Sequence, residues 1–338
     1  MRLFKAILGA LVALGIVLAA VAGSLWVHYQ TFIRTPVAIH GDSMVFEVQR
    51  GMGLRAVAQQ LVAAQVLPDP YAFLALAYHT RKGGQLKSGE YELRGGMTPP
   101  QLLDLLTSGK VIQYSLTLVE GWTFRQGLAV LAADPVLTGD LLGLTDEEIM
   151  AQIGRPGEHP EGQVFPDTYL FPRGTAAIDL VKRASTRMEA VMNEEWPRRA
   201  EGLPFKTPYE ALILASIVEK ETGLASERPE IAGVFVRRLQ RGMKLQTDPT
   251  VIYGMGAAFD GNIRRSDLAA DTPYNTYVHA GLPPTPIALP GRAAIRAVLH
   301  PAAGESLYFV AKGDGSHAFS ATLEEHNRAV RHYQSGGQ

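Results

Sequence analysis

The feature that most constrains this chain is its first thirty residues. From Ala6 to Val27 no side chain carries a charge. At 1.5 Å rise per residue, such a run is long enough as a helix to cross a hydrocarbon core about 30 Å thick. Arg2 and Lys5 precede it, and Trp26 and Tyr29 close it at the interfacial position favoured by aromatic rings. Positive charge stays on the cytoplasmic side, so the pattern predicts a cytoplasmic N-terminus and an extracytoplasmic location for everything after Val27. The rival is a cleaved signal peptide, for which Ala20-Val21-Ala22 resembles the small-residue cleavage site. The apolar run is longer than the usual signal core and ends in aromatics, which favours a retained single-pass anchor. No face of the segment is polar, so an ordinary core helix fits less well.

Beyond the anchor the chain, 338 residues in all, has room for two domains. Lys and Arg number 32 against 33 Asp and Glu, a balance that lacks the basic footprint of a nucleic-acid binder. There is no cysteine, which excludes disulfide scaffolds, thiolate metal sites and Cys nucleophiles. The fold class expected is α+β: an anchor (1–30), a small α+β module (43–110) and a larger α+β domain (111–338). Thr31 to Asp42 reads as an extended linker punctuated by Pro36 and Gly41. In the small module, Val45–Val48 and Glu90–Leu93 read as strands. Helices are expected from Leu54, from Tyr71 and from Thr98-Pro99, an N-cap followed by proline. In the larger domain Val111–Val119 alternates as a strand, followed by helices near 124–133, 146–153 and 178–196. Thr207-Pro208-Tyr209-Glu210 is a capping box opening a helix that runs to about Thr222, with Gly223 in the left-handed closing position. A further helix spans Arg228–Arg241. The turn Gly313-Asp314-Gly315 joins a hairpin, and Thr322 caps a last helix.

Several chemistries can be set aside. Gly51-Met52-Gly53-Leu54-Arg55-Ala56 mimics a dinucleotide fingerprint, but the strand before it carries Glu47 and Gln49 and no second βαβ unit follows. No histidine pair has metal-ligand spacing and no Gly-x-Ser-x-Gly occurs, so no metal or cofactor is expected. Arg237-Arg238 and Arg264-Arg265 read as solvated charges.

The chemistry-bearing segment is the 210–222 helix. Ala211–Val218 is apolar almost all round, and Glu219 and Glu221 emerge at its C-terminal end. Two residues apart, they point about 200° away from each other. Glu219 shares a face with Leu212, Ala215 and Ser216, while Glu221 falls with Glu210 and is expected to be exposed. Partial desolvation and the negative helix end would raise the pKa of Glu219 and keep it an acid near neutrality. Helix ends commonly carry charge, and two ordinary solvated carboxylates are the alternative that the pattern by itself favours. Downstream, Leu245–Thr250 and Thr272–Tyr277 supply amide, hydroxyl and aromatic groups suited to sugars, and equally to turns.

The run Ala215-Ser216-Ile217-Val218-Glu219-Lys220-Glu221-Thr222 closely resembles the signature of the YceG-like family of endolytic murein transglycosylases. So do Gly242–Gly254, Pro273-Tyr274-Asn275-Thr276-Tyr277, Gly281-Leu282-Pro283-Pro284, and the order and spacing through His317-Ala318-Phe319 to His326-Asn327. Thr285 and Leu289 depart from the family's usual glycine and asparagine. The resemblance implies a LysM-like small module and Glu219, the first glutamate of the pair, as the catalytic acid. Gln246, Thr247, Asp248, Tyr274, Asn275 and Tyr277 are expected to bind substrate. It implies cleavage of the β-1,4 bond between N-acetylmuramic acid and N-acetylglucosamine in nascent peptidoglycan strands, leaving a 1,6-anhydro end, as a terminator of glycan elongation. It implies residence in the inner membrane with a periplasmic catalytic domain. The expected partners are glycan strands, the lipid bilayer and peptidoglycan synthases of the penicillin-binding class. A non-catalytic glycan-binding assembly factor and a water-using muramidase, with Glu221 or Asp248 as second carboxylate, are the competing readings.

Overall fold

A computed structural model describes residues 1–334, apart from the side chains of Arg2 and Leu3; residues 335–338, the end of the expected 111–338 domain, lie outside it. The fold is α+β, with short strands paired in two-stranded sheets among many helices. Contacts divide the chain into two units, one of residues 1–114 and 171–174, the other of residues 115–170 and 175–338. The sequence placed this division at 110/111. Val111 instead lies against Gly89, and the Ile112 amide donates to Glu90 O at 2.7 Å, so both residues extend the first unit.

The first unit opens with α1 (Arg2–Arg34), whose stretch from Phe4 is long and apolar enough to cross a membrane. The linker expected from Thr31 is helical through Arg34. The reason is packing: Phe32 and Val37 are buried in this unit's core, which rewards continuing the helix. Then follow β1 (Ser43–Val48), α2 (Leu54–Ala63), α3 (Pro70–His79), β2 (Gly89–Arg94) and α4 (Pro99–Ser108). β1 and β2 pair antiparallel, Ser43 opposite Arg94 and Val48 opposite Gly89. Phe46, Tyr91 and Leu93 turn inward against Val57, Leu61, Phe73 and Leu102.

The second unit begins in β3 (Tyr114–Thr117), which pairs with β4 (Thr168–Phe171); between them lie α5 (Phe124–Ala133) and α6 (Asp146–Gln152). It continues through α7 (Ala177–Glu195), α8 (Pro208–Glu221), α9 (Arg228–Gln240), α10 (Asp248–Met255), α11 (Arg265–Ala269) and α12 (Arg292–Leu299). The hairpin β5 (Tyr308–Ala311) and β6 (His317–Ser320) and the helix α13 (Leu323–Tyr333) complete it. Threonine capping boxes start α4, α5, α6, α8 and α13, each reciprocated by Gln or Glu three residues on. α8 is the core helix. Every residue from Ala211 to Val218 is buried, packed by α9 and α12. Its end differs from expectation: Gly223 is not left-handed, and Thr222 caps the helix in an extended conformation.

Candidate active site

α8 delivers two carboxylates to different surroundings. Ser216 donates to Ile213 O at 2.7 Å and accepts from the Ile287 amide at 2.9 Å, so its face of the helix lies against the 287–291 segment. Glu219, three residues on, continues that face. It accepts from Arg228 Nη2 at 3.1 Å and from the Gly291 amide at 2.9 Å, and its side chain is only 5% exposed. Burial raises its pKa, opposed by the Gly291 N–H and the Arg228 charge. It is a closed ion pair.

Glu221 points elsewhere. Its carboxyl accepts from the Thr247 hydroxyl and lines a cleft of about 420 Å³ together with Gln246, Thr247, Asp248, Tyr277, Arg238 and His317. The exposed position expected for Glu221 is therefore corrected. The 245–248 segment, far along the chain, covers that side of the helix end. Burial pushes the Glu221 carboxyl up to about 7; Thr247 pulls down, Asp248 pushes further up, and His317 and Arg238 pull down. An acid with a pKa close to neutrality, facing a cleft of ligand size, can donate a proton and take it back.

The expected substrate residues separate into two groups. Gln246, Thr247, Asp248 and Tyr277 gather beside Glu221. Tyr277 donates to Asp248 Oδ1 at 2.6 Å, a bond that, after burial, keeps the phenol protonated. Gln246 has φ +52, a left-handed conformation that costs a non-glycine residue energy and often marks a functional loop. Tyr274 and Asn275 lie outside the cleft. Tyr274 is engaged by the Thr285 hydroxyl at 2.8 Å and packs edge-on against Tyr253. Asn275 is fully buried; its amide donates to the carbonyls of Asp267, Leu268 and Ala270, and its oxygen accepts from the Tyr277 amide at 2.9 Å. It is a loop staple that sets Tyr277.

Arg238 is a second correction. It is buried, not solvated, and its guanidinium donates to Leu307 O at 2.6 Å and Leu245 O at 2.7 Å, tying α9 to both walls of the cleft. Its neighbour Arg237 is also largely buried, donating to Ser306 O and Ala302 O. Arg264, by contrast, is half exposed as expected.

Two further groups carried no readable signal. Glu161 is buried, accepts from the Phe124 amide at 2.8 Å and the Tyr253 hydroxyl at 3.1 Å, and is pushed by burial up to about 7. His317, noticed in the sequence only within a longer motif, is paired with Glu227: Nδ1 lies 2.7 Å from Oε2, and its amide donates to Oε1 at 2.9 Å. A larger cleft of about 580 Å³ opens at the N-terminal end of α8, beside Thr207 and Tyr209, remote in the helix from Glu221. Among the described residues no cluster of three or more His, Asp or Glu is arranged to hold a metal ion.

The YceG-like family model matches residues 46–332. An endolytic murein transglycosylase of Bacillus subtilis is 31% identical over 310 residues, covering 85% of this chain and 84% of its own. One of Streptococcus pneumoniae is 26% identical over 353 residues, covering 93% of this chain and 63% of its own. The crystal structure of a YceG-like protein from Listeria monocytogenes superposes with a TM-score of 0.56 at 30% identity, covering 86% of this chain and 99% of that one.

Proposed function

The chain belongs to the YceG-like family, and we propose that it is a membrane-anchored endolytic transglycosylase of peptidoglycan with Glu221 as its catalytic acid. The observation that carries this is the Glu221 carboxyl, pushed up to about 7 by burial at the wall of the cleft it shares with Gln246, Asp248 and Tyr277. Glu219, the acid that the resemblance implies, has its two oxygens engaged by Arg228 and Gly291, whereas Glu221 lines the cleft, and on that ground we favour Glu221. The bond cleaved is the β-1,4 link between N-acetylmuramic acid and N-acetylglucosamine. Glu221 donates its proton to the linking oxygen as the bond to C1 breaks. The muramoyl 6-oxygen then bonds to C1, its hydroxyl proton passing to a base in the cleft, and a 1,6-anhydro end is left. An intramolecular nucleophile needs no positioned water and gains a large effective concentration. Residues 1–34 hold the enzyme in the inner membrane with its catalytic unit in the periplasm. The first unit acts as a LysM-like glycan-binding module. Nascent strands, met beside synthases of the penicillin-binding class, are cut so that elongation ends.

Digestion of purified glycan strands, with the products weighed by mass spectrometry, tests the reading. Anhydro ends lack one water relative to hydrolytic ends, and Glu221→Gln should produce neither. Asp248, the second carboxylate of the cleft, favours a water-using muramidase as the other outcome, in which every new end carries the added water. A non-catalytic assembly factor would keep its cellular function in Glu221→Gln.

A further inference from the structure

The cleft is lined by a second proton-handling group besides Glu221. His317 sits at the start of β6 and lines the same cavity. Its Nδ1 is committed to Glu227, a bond of 2.7 Å, and its backbone amide holds the other oxygen of the same carboxylate at 2.9 Å. Both side chains are largely buried, 11% and 15% exposed. The ring is also gripped edge-on by Phe309, with centroids 5.4 Å apart and planes at 90°. An imidazole fixed on one nitrogen by a carboxylate presents only Nε2 to the cleft, in a defined tautomer. The other cleft histidine, His326, has no such orienting partner: it stacks on Tyr308, and its Nδ1 is buried without a hydrogen bond.

Glu221 has one oxygen taken by Thr247, so one remains to meet the substrate. The reaction asks two things on one face of the sugar, since the leaving oxygen and the incoming 6-hydroxyl both lie on the β side of C1 in a 1,6-anhydro product. We propose that the two tasks are divided: Glu221 is the acid, and His317, oriented by Glu227, is the base that takes the proton of the 6-hydroxyl. This rests on the reading of Glu221 given above. The C1–oxygen bond breaks with its electron pair leaving on the oxygen, which takes the Glu221 proton. The 6-oxygen bonds to C1, and its proton passes to His317 Nε2. The imidazolium, balanced by Glu227, returns that proton to the Glu221 carboxylate across the cleft, and the enzyme is restored with nothing else consumed. Glu227 is suited to the positioning role. Burial would raise its pKa, but its two bonds from His317 and the nearby Lys312 charge hold it below the usual range, so it stays an anion. The charged groups around the pair are Glu221 from α8, Arg238 from α9 and Lys312 from the hairpin turn.

The test uses the full chain in detergent, acting on purified glycan strands, with kcat/KM followed against pH and products weighed. The expected wild-type profile is a bell. His317→Gln, which keeps a hydrogen-bonding group but cannot accept a proton, should lower kcat/KM by about 10²–10⁴-fold and erase the acidic limb. Imidazole added to His317→Gly should restore part of the anhydro product. Glu227→Gln, which keeps the shape but not the acceptor pair that orients the ring, should lower kcat/KM while imidazole added to His317→Gly still restores anhydro product. Folded fraction is checked by circular dichroism for each variant. A wild-type profile in His317→Gln overturns the division of labour. So does a loss of rate that keeps the acidic limb and is not rescued by imidazole. In either case a dead Glu221→Gln, with anhydro product from the wild type, leaves the broader reading standing; an active Glu221→Gln removes that reading instead.

Discussion

Glu219 and Glu221 stand two residues apart and do different physical work. Glu219 closes a buried pair with Arg228. Glu219→Gln leaves that guanidinium without its anion and should cost about 1–3 kcal/mol in denaturant unfolding while preserving activity per folded molecule. Glu221→Gln should do the reverse, abolishing turnover with little loss of stability. The pH dependence follows from the same carboxyl. Its folded pKa, about 7, lies above the value for an unfolded chain, so the folded state binds the extra proton. Its contribution to stability is complete below the unfolded pKa, declines as pH rises toward 7 and is gone above it. Thermal melts from pH 4 to 8 should show that decline in the wild type. It should shrink, though not vanish, in Glu221→Gln, because Glu161 is raised in the same way. Activity should fall on the alkaline side with a midpoint near pH 7, since only the protonated form is an acid.

At the scale of elements, the cleft is set by what fastens α8 to its neighbours. Ser216 is the one polar residue in the buried stretch of the helix, and it satisfies the Ile287 amide. Ser216→Ala leaves that buried N–H unpaired, which should cost about 1–3 kcal/mol and speed hydrogen exchange at Ile287. The opposite wall depends on Gln246 in its left-handed conformation. Gln246→Gly removes about 1 kcal/mol of backbone strain at that position, partly offset by the greater freedom of the unfolded chain. The melting temperature should therefore hold, while activity falls if the amide contacts sugar. A fall in both would show that the side chain serves the fold. Thr285 gives Tyr274 a hydroxyl partner and so takes part in the same fastening.

For the molecule as a whole, the C-terminal end of the N-terminal apolar helix packs into the core of the first unit. Phe32 is 5% exposed within the core of that unit, and Tyr29 meets the His79 ring edge-on at 6.5 Å. Phe32→Ala should destabilise the first unit by about 3–5 kcal/mol. A soluble form trimmed after Thr35 should unfold more readily than one that begins before Phe32. The topology is checked with a reporter active only in the periplasm, fused after Gln338, a position outside the described residues; it should be active. Release of a mature form starting near Gly23 would show a cleaved signal instead.

What the sequence by itself determined is local. Capping boxes, the proline starts and the Gly313–Gly315 hairpin turn were legible because each signal spans a few residues and acts on its own backbone, and the long apolar N-terminal helix because its composition is unbroken. The α+β class followed from them. Part of the candidate site was legible: positions 246–248 and 277, which line one cleft, were named, and so was the helix that carries both glutamates. Which glutamate meets the cleft was not, because α8 is apolar almost all round and so presents no polar face from which its rotation can be read. That rotation is decided by partners far along the chain, Thr247 for Glu221 and Gly291 for Glu219. The same distance hid Arg238, whose charge reads as solvated until the carbonyls of Leu245 and Leu307 close around it. Hydrogen bonds between remote segments exist only once the core has packed, and here they decide which carboxylate lines the cleft.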